Sequence, residues 1–249
     1  MKEELYKQIT EKKELSKLPR IDVEKAFSKF EKIEVSDREK VRLTRDLLNK
    51  IFWPFRSKKL LSLRDKPRDW ILRKHLSSRE RLKYYNAVYN RIFKGETSVS
   101  VIDLGCGVNG SSYSYFPCKV NYLGVEGVGQ LVDLMNYFFK DMKYGKTVHM
   151  SLFELAELKK LIKSLSGKKI VFLFKVLDSL EMLERDYSKK LLKAIVPLVD
   201  RVVISYATKS MIKKVKFNVT RNWFVDFIKE NFKIIDNFNI GNERYLIFK

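Results

Sequence analysis

The run Val101-Ile102-Asp103-Leu104-Gly105-Cys106-Gly107 brings an acid and two glycines to the end of a strongly apolar segment. Glycine lets backbone approach a ligand closely because no Cβ stands in the way. The segment therefore reads as a strand running into a turn that cradles a small molecule, and it is read as distinct from the dinucleotide fingerprint. A second apolar segment ends Leu123-Gly124-Val125-Glu126. A carboxylate at such a strand end can accept both hydroxyls of a ribose. A third ends Phe172-Leu173-Phe174-Lys175, with Asp178 three residues on. Lysines and acids at strand ends can move protons or hold charge beside a reacting atom, although Lys175 could equally be a snorkelling surface residue. Cys106 and Cys118 are too few for a metal cluster or a disulfide framework, and no metal site is expected.

The elements that must carry these residues change character near residue 95. Before it the pattern is helical. Leu5, Ile9, Leu15 and Leu18 predict an amphipathic helix stopped by Pro19, and Val23, Phe27, Phe30 and Ile33 predict a second. Ser36 with Glu39 forms a capping box for a third, carrying Val41, Leu47, Leu48 and Ile51. A fourth starts near Ser77-Ser78 and stops at Gly95. After it, short apolar runs at 99–104, 120–125, 169–174, 201–205, 233–238 and 244–248 alternate with helical patterns at 128–142, 153–166, 186–197 and 219–231. That alternation predicts an α/β fold with a doubly wound, mostly parallel sheet closed by an antiparallel hairpin. The expected division is a basic helical domain, 1–95, and a Rossmann-like domain, 96–249.

Charge is the strongest compositional signal, at +21. Residues 1–37 balance nine basic against nine acidic side chains, whereas 38–94 hold 18 basic and five acidic. An excess of +13 in one segment attracts polyanions and releases their counterions. The alternative is a lysine-rich set of solvated helix faces, but acids rise with lysine in that case and here they do not. Lys58, Lys59, Arg64, Arg68, Arg73 and Lys74 are the candidate contacts to nucleic acid. No apolar run is long enough for a membrane span, and the chain opens on charge, Met-Lys-Glu-Glu, rather than a signal peptide. The expectation is a cytoplasmic monomer.

Asp103-Leu104-Gly105-Cys106-Gly107 resembles the first motif of class I S-adenosylmethionine-dependent methyltransferases, which implies a seven-stranded Rossmann-like sheet with an antiparallel last strand. Several further words are similar to the Arm/Rmt family of 16S rRNA guanine-N7 methyltransferases. They are His75-Leu76-Ser77-Ser78-Arg79-Glu80-Arg81-Leu82, Asp103 to Asn109, Leu173-Phe174-Lys175-Val176-Leu177 with Leu180-Glu181, Val203 to Ser210, and Ile240-Gly241 with Glu243 and Tyr245-Leu246-Ile247. The resemblance runs in order from residue 75 onward. It implies S-adenosylmethionine as cofactor, held by Asp103, Gly105, Cys106, Gly107, Asn109, Glu126, Ser151, Leu152 and Phe174, with Arg79 on its carboxylate. It also implies rRNA or the small ribosomal subunit as partner, with Arg81, Thr208 and Lys209 on the substrate side and Lys175 and Asp178 as candidate catalytic residues. The chain departs from the family at Gly105, Glu126, Asp178 and Met211-Ile212-Lys213-Lys214, and Ser151, Leu152 and Phe153 stand where an adenine-side acid is expected.

The missing features bear on the reaction. Methyltransferases acting on exocyclic amines carry an Asn/Asp-Pro-Pro-Tyr/Phe turn where this chain has Lys175-Val176-Leu177-Asp178. Carbon-5 pyrimidine methylation needs a thiol nucleophile, and neither 177–181 nor 206–210 holds a cysteine. Guanine N7 carries no proton and is already nucleophilic, so positioning and electrostatics suffice. Ribose 2′-O methylation, with Lys175, Asp178, Lys209 and Glu243 near the hydroxyl, stays open. So does a non-catalytic RNA-binding or ribosome-assembly role.

Overall fold

The computed structural model describes residues 1–52, 58–61, 66–208 and 222–249. Three helices open the chain: α1 (Glu3–Thr10), α2 (Arg20–Ser28) and α3 (Asp37–Phe52). The first expected helix is shorter than its apolar spacing suggests. Leu15 and Leu18 are buried from turns, with α2 starting directly after Pro19. In α2 the apolar face is Val23, Ala26 and Phe27, and Ile33 lies beyond the helix, exposed. The Ser36 hydroxyl caps α3 by accepting from the Glu39 N–H at 3.3 Å.

A short helix at α4 (Arg68–Lys74), not expected from the sequence, leads into α5 (Leu76–Arg81) and α6 (Tyr85–Ile92). Gly95, at φ +80°, ends this run in a conformation that favours glycine. The expected domain boundary lies here, yet packing crosses it. Tyr85, Tyr89 and Ile92 are fully buried, and the Tyr89 ring lies parallel to Phe172 of the sheet, with centroids 6.2 Å apart. One apolar core continues from Leu5 to Phe248.

The sheet holds β1 (Ser98–Leu104), β2 (Lys119–Glu126), β3 (Gly145–His149), β4 (Lys169–Phe174), β5 (Arg201–Ala207), β6 (Ile234–Ile240) and β7 (Glu243–Phe248), in the order β3-β2-β1-β4-β5-β7-β6. Strands β1 to β5 pair in parallel, and β7 runs antiparallel between β5 and β6. Strands β1 and β4 are buried on both faces, as expected of the centre of a two-sided sheet. Edge strand β3 is mostly polar, so its run of Gly145-Lys146-Thr147-Val148-His149 lacks the apolar signal that marks the others. Helices α7 (Gly129–Phe139), α8 (Leu155–Lys163), α9 (Leu177–Leu183), α10 (Tyr187–Ile195) and α11 (Asn222–Asn231) complete the chain. Helix α9 follows β4 directly and touches α2 and α3, so the N-terminal helices close over the carboxyl ends of the parallel strands. In open α/β sheets those ends are where ligands bind. No helix among the described residues is long and apolar enough to cross a membrane.

Candidate active site

A cleft lies over the ends of β1, β2 and β4, the position that small-molecule sites take in open α/β sheets. Its floor is the glycine loop. Gly105 and Gly107 have φ of +69° and +53°. A Cβ on Gly105 would sit 2.5 Å from Val176 Cγ2, and one on Gly107 would sit 2.9 Å from His75 Nε2. Both positions therefore need glycine for conformation and for space. Gly105, Gly107 and Gly110 do stand in G-x-G-x-x-G spacing, correcting the sequence reading. The difference from a dinucleotide loop is structural. Asn109–Tyr115 is a 3-10 turn, not the α-helix N-terminus that seats a pyrophosphate.

Three residues lock this loop. Asp103 is buried, and its Oδ2 accepts from Asn109 Nδ2 at 2.7 Å and from the Tyr122 hydroxyl at 2.8 Å. Burial pushes its carboxyl up to about 6, opposed by those two hydrogen bonds. Asn109 Oδ1 in turn accepts from Arg81 Nη1 at 3.1 Å and from the Tyr85 hydroxyl at 2.9 Å. Glu126 receives the Gly107 N–H on one oxygen and the Val128 N–H on the other, both at 2.8 Å. Its carboxylate thus ties β1 to β2 while lining the cleft.

Cys106 lines the cleft but is buried, its Sγ 2.7 Å from where a Cβ on Gly124 would stand. Burial, with Asp103 and Glu126 nearby, pushes its thiol well up, which removes it as a nucleophile. Leu152 and Phe174 line the cleft as expected. Ser151 is buried just behind the lining, where its hydroxyl donates to Asp22 Oδ1 at 2.5 Å.

The two arginines of the Ser-Ser-Arg-Glu-Arg-Leu run exchange places relative to expectation. Arg79 is exposed and stands apart from the cleft, whereas Arg81, 2% exposed, lines it. Residues two apart on a helix face different sides, and of this pair only Arg81 reaches the main cleft. Arg81 Nη2 bonds Glu243 Oε1 at 2.9 Å and Ser77 Oγ at 3.3 Å, its Nε bonds the Tyr245 hydroxyl at 3.2 Å, and its guanidinium covers the Phe174 ring at 4.7 Å. Arg81 also lines the more open groove beyond the cleft, the side on which the resemblance places it.

Lys175 adopts φ +58°, uncommon for a residue with a Cβ and the kind of backbone strain that gathers at functional sites. Its Nζ lies 2.7 Å from Glu80 Oε2 and 3.2 Å from Glu243 Oε2. Burial by itself would push the Glu243 carboxyl up, but Arg81 and then Lys175 outweigh it and hold it below the usual range. The Ser205 hydroxyl donates to the same carboxylate. Lys175 also lines a second, more open groove, together with Arg73, Arg79, Glu80, Lys83, Tyr84 and Asn242. Asp178 is exposed and faces a third, shallow cleft, so it does not join the main site.

Of the remaining candidates, Arg68 bonds Ser114 and packs over Tyr115, Lys74 lies over Trp70, and Lys59 is exposed. The Thr208 N–H is held by the Asn242 carbonyl at 2.9 Å. Arg64, Lys209 and the Lys58 side chain lie outside the described residues. Two residues of the site have no role in the sequence reading, His75 and Asp22. His75 accepts from the Ser78 N–H at the start of α5 and packs on Gly107. Asp22, in the first turn of α2, resembles any helix-opening acid.

Similarity to known proteins agrees with this geometry. The chain aligns in structure with the 16S rRNA methylase RmtB at a TM-score of 0.76, covering 98% of both chains at 20% identity. It aligns with the 16S rRNA methyltransferase RmtF, solved with S-adenosyl-L-homocysteine, at 0.80, covering 100% of this chain and 99% of the other at 18% identity. The 16S rRNA methylase ArmA aligns at 0.57, over 73% of this chain and 89% of its own, with 25% identity. The first two likenesses are of fold alone. No curated protein matches by sequence. A family model does match, over residues 67–247, which hold most of the chain and, of the site, the glycine loop, Arg81, Glu126, Lys175 and Glu243, and the chain belongs to the ribosomal RNA methyltransferase (FmrO) family.

Proposed function

We propose that this rRNA methyltransferase uses S-adenosylmethionine to methylate guanine N7 in 16S rRNA, acting as a cytoplasmic monomer on the small ribosomal subunit. The observation that carries this reading is the wall shared by the main cleft and the open groove. Arg81 and Lys175 face both, and the cysteine among the described lining residues of the main cleft, Cys106, is buried with its thiol pushed up. Such a wall suits a transfer that needs charge and orientation rather than proton removal.

The cleft fits the cofactor on its own residues. Glu126 lines the cleft with a carboxylate that suits ribose hydroxyls, the left-handed glycines leave room above the loop, and Arg81 offers a guanidinium for a carboxylate. The assignment of that carboxylate accordingly passes from Arg79 to Arg81. When bound, S-adenosylmethionine supplies an electrophilic methyl on a sulfonium.

On the substrate side, Arg73, Arg79 and Lys83 are exposed around the groove and suit RNA phosphates, as do Lys59, Arg68 and Lys74 on the neighbouring surface. Glu80 offers a carboxylate to the N1–H and 2-amino edge of a guanine, and Lys175 a donor to its O6. Presentation of the base requires it to leave its stack. Lys175 is engaged by two carboxylates in this arrangement, which disfavours it as the base that a ribose hydroxyl would need.

Tritium transfer from labelled S-adenosylmethionine to small subunits and naked rRNA, followed by nucleoside analysis, tests the proposal. Label in 7-methylguanosine is expected. Label in a 2′-O-methylnucleoside would replace it with the ribose reaction, and cofactor binding without transfer to either RNA would reject it.

A further inference from the structure

The main cleft is lined by three carboxylates among the described residues, and two are already committed. Asp103 is held by Asn109 and Tyr122, and Glu126 by two backbone N–H groups. The third, Asp22, comes from α2, more than 80 residues before the glycine loop. It is 4% exposed. Oδ1 accepts from Ser151 Oγ, whereas Oδ2 meets no donor among the described residues and points along the cleft wall, 3.3 Å from where a Cβ on Gly127 would stand. A carboxylate on the wall of a cleft is placed to accept a hydrogen bond from a ligand that offers an N–H there.

The sheet order fixes which part of a ligand reaches it. Strand β2 lies between β1 and β3, so Glu126 stands between the glycine loop at the end of β1 and Ser151 just past the end of β3. A nucleoside whose ribose meets Glu126, with its sulfur side toward β1 and β4, must place its base on the β3 side. There the wall is apolar, formed by Val128, Leu131, Leu152 and Phe52, with Asp22 at its edge. A flat heterocycle fits between such side chains, and an edge carboxylate calls for an N–H donor.

We infer that Asp22, positioned by Ser151, accepts the 6-amino group of the cofactor's adenine, so that a helix of the N-terminal segment completes the cofactor site. This rests on the assignment of S-adenosylmethionine above. Its burial, which pushes the carboxyl up to about 7, marks how far the site is desolvated before any ligand enters. The neighbouring Lys25 is drawn away by Glu184, to which its Nζ is paired.

Calorimetry with S-adenosylhomocysteine and S-nebularylhomocysteine, in which hydrogen replaces the 6-amino group, tests this without turnover. Wild-type protein is expected to bind the adenosyl compound about 10- to 100-fold more tightly, the range of a hydrogen bond to a charged group. Asp22→Ala should bring that ratio to within about twofold, and Asp22→Asn, whose amide oxygen can still accept, should leave it intermediate. A wild-type ratio near 1 overturns the inference even if neither variant folds, and a ratio unchanged in a folded Asp22→Ala protein overturns it as well. Failure of wild-type protein to bind either compound would instead remove the cofactor assignment, and the role of Asp22 with it.

Discussion

Arg81 and Glu243 lie 162 residues apart in sequence and meet at 2.9 Å with side chains only 2% and 5% exposed. Around that pair gather Lys175, Ser205, Asn109 and Tyr245, drawn from β4, β5, the glycine loop and β7. The cluster is the joint between the main cleft and the open groove beside it.

Removing one partner of this pair should be severe. Arg81→Ala leaves the buried Glu243 carboxylate with Lys175 as its remaining cation and is expected to lower stability by about 3 kcal/mol in urea denaturation. Pairing it with Glu243→Leu should recover much of that loss, because apolar replacement of both partners is often neutral. A double variant as unstable as the single one would show that the other contacts of Arg81 dominate.

Gly105 and Gly107 carry distinct penalties. Alanine at either is strained by positive φ, a cost of about 1 kcal/mol. Gly105→Ala also drives a Cβ onto Val176, so Val176→Ala should relieve part of its defect in a double-mutant cycle. The same Val176 change should do nothing for Gly107→Ala, which instead meets His75.

Asp22 should imprint a pH dependence on stability. Its carboxyl moves from 3.8 to about 7 on folding, so the native state holds the extra proton between those values and stability falls as pH rises through them. Asp22→Asn lacks the term. Thermal or urea unfolding should show the variant equal to wild type near pH 4 and more stable by on the order of 4 kcal/mol at pH 8. Equal profiles at both pH values would mean that Asp22 is not desolvated in the free protein.

The exposed and buried arginines should separate RNA from cofactor effects. Arg73→Ala and Arg79→Ala are expected to weaken rRNA binding and each reduce the salt slope by about 1, with S-adenosylhomocysteine affinity unchanged. Loss of cofactor affinity in Arg79→Ala would restore the role first assigned to it from sequence.

Cys106 should resist alkylation in the folded protein, its thiol being buried and pushed up. Iodoacetamide with mass readout is expected to modify it only on unfolding. Rapid labelling under native conditions would contradict the packing against Gly124.

Much of this was legible in the sequence because it rests on local signals. The runs that became β1, β2 and β4 are largely apolar stretches ending in Asp103-Leu104-Gly105, Glu126 and Lys175, so both strand and site residue could be read together. Strand β3 escaped because an edge strand with Lys146 and His149 needs little apolar surface. The order given to Arg79 and Arg81 had no local basis, since which side of a six-residue helix faces the cleft depends on where β7 and Asn109 stand. Asp22 was invisible for a similar reason. Nothing near it in sequence announces Ser151, and an acid opening a helix needs no partner to be explained.

The placement of β7 between β5 and β6 has a consequence for timing. Strand β6 is synthesised first yet must leave the slot beside β5 vacant for residues that follow it. Glu243 and Tyr245, which neutralise and seat Arg81, arrive with that late strand. Domains begin to fold from the N-terminal side during synthesis, but here the ionic joint stays open until the stretch carrying them has cleared the exit tunnel.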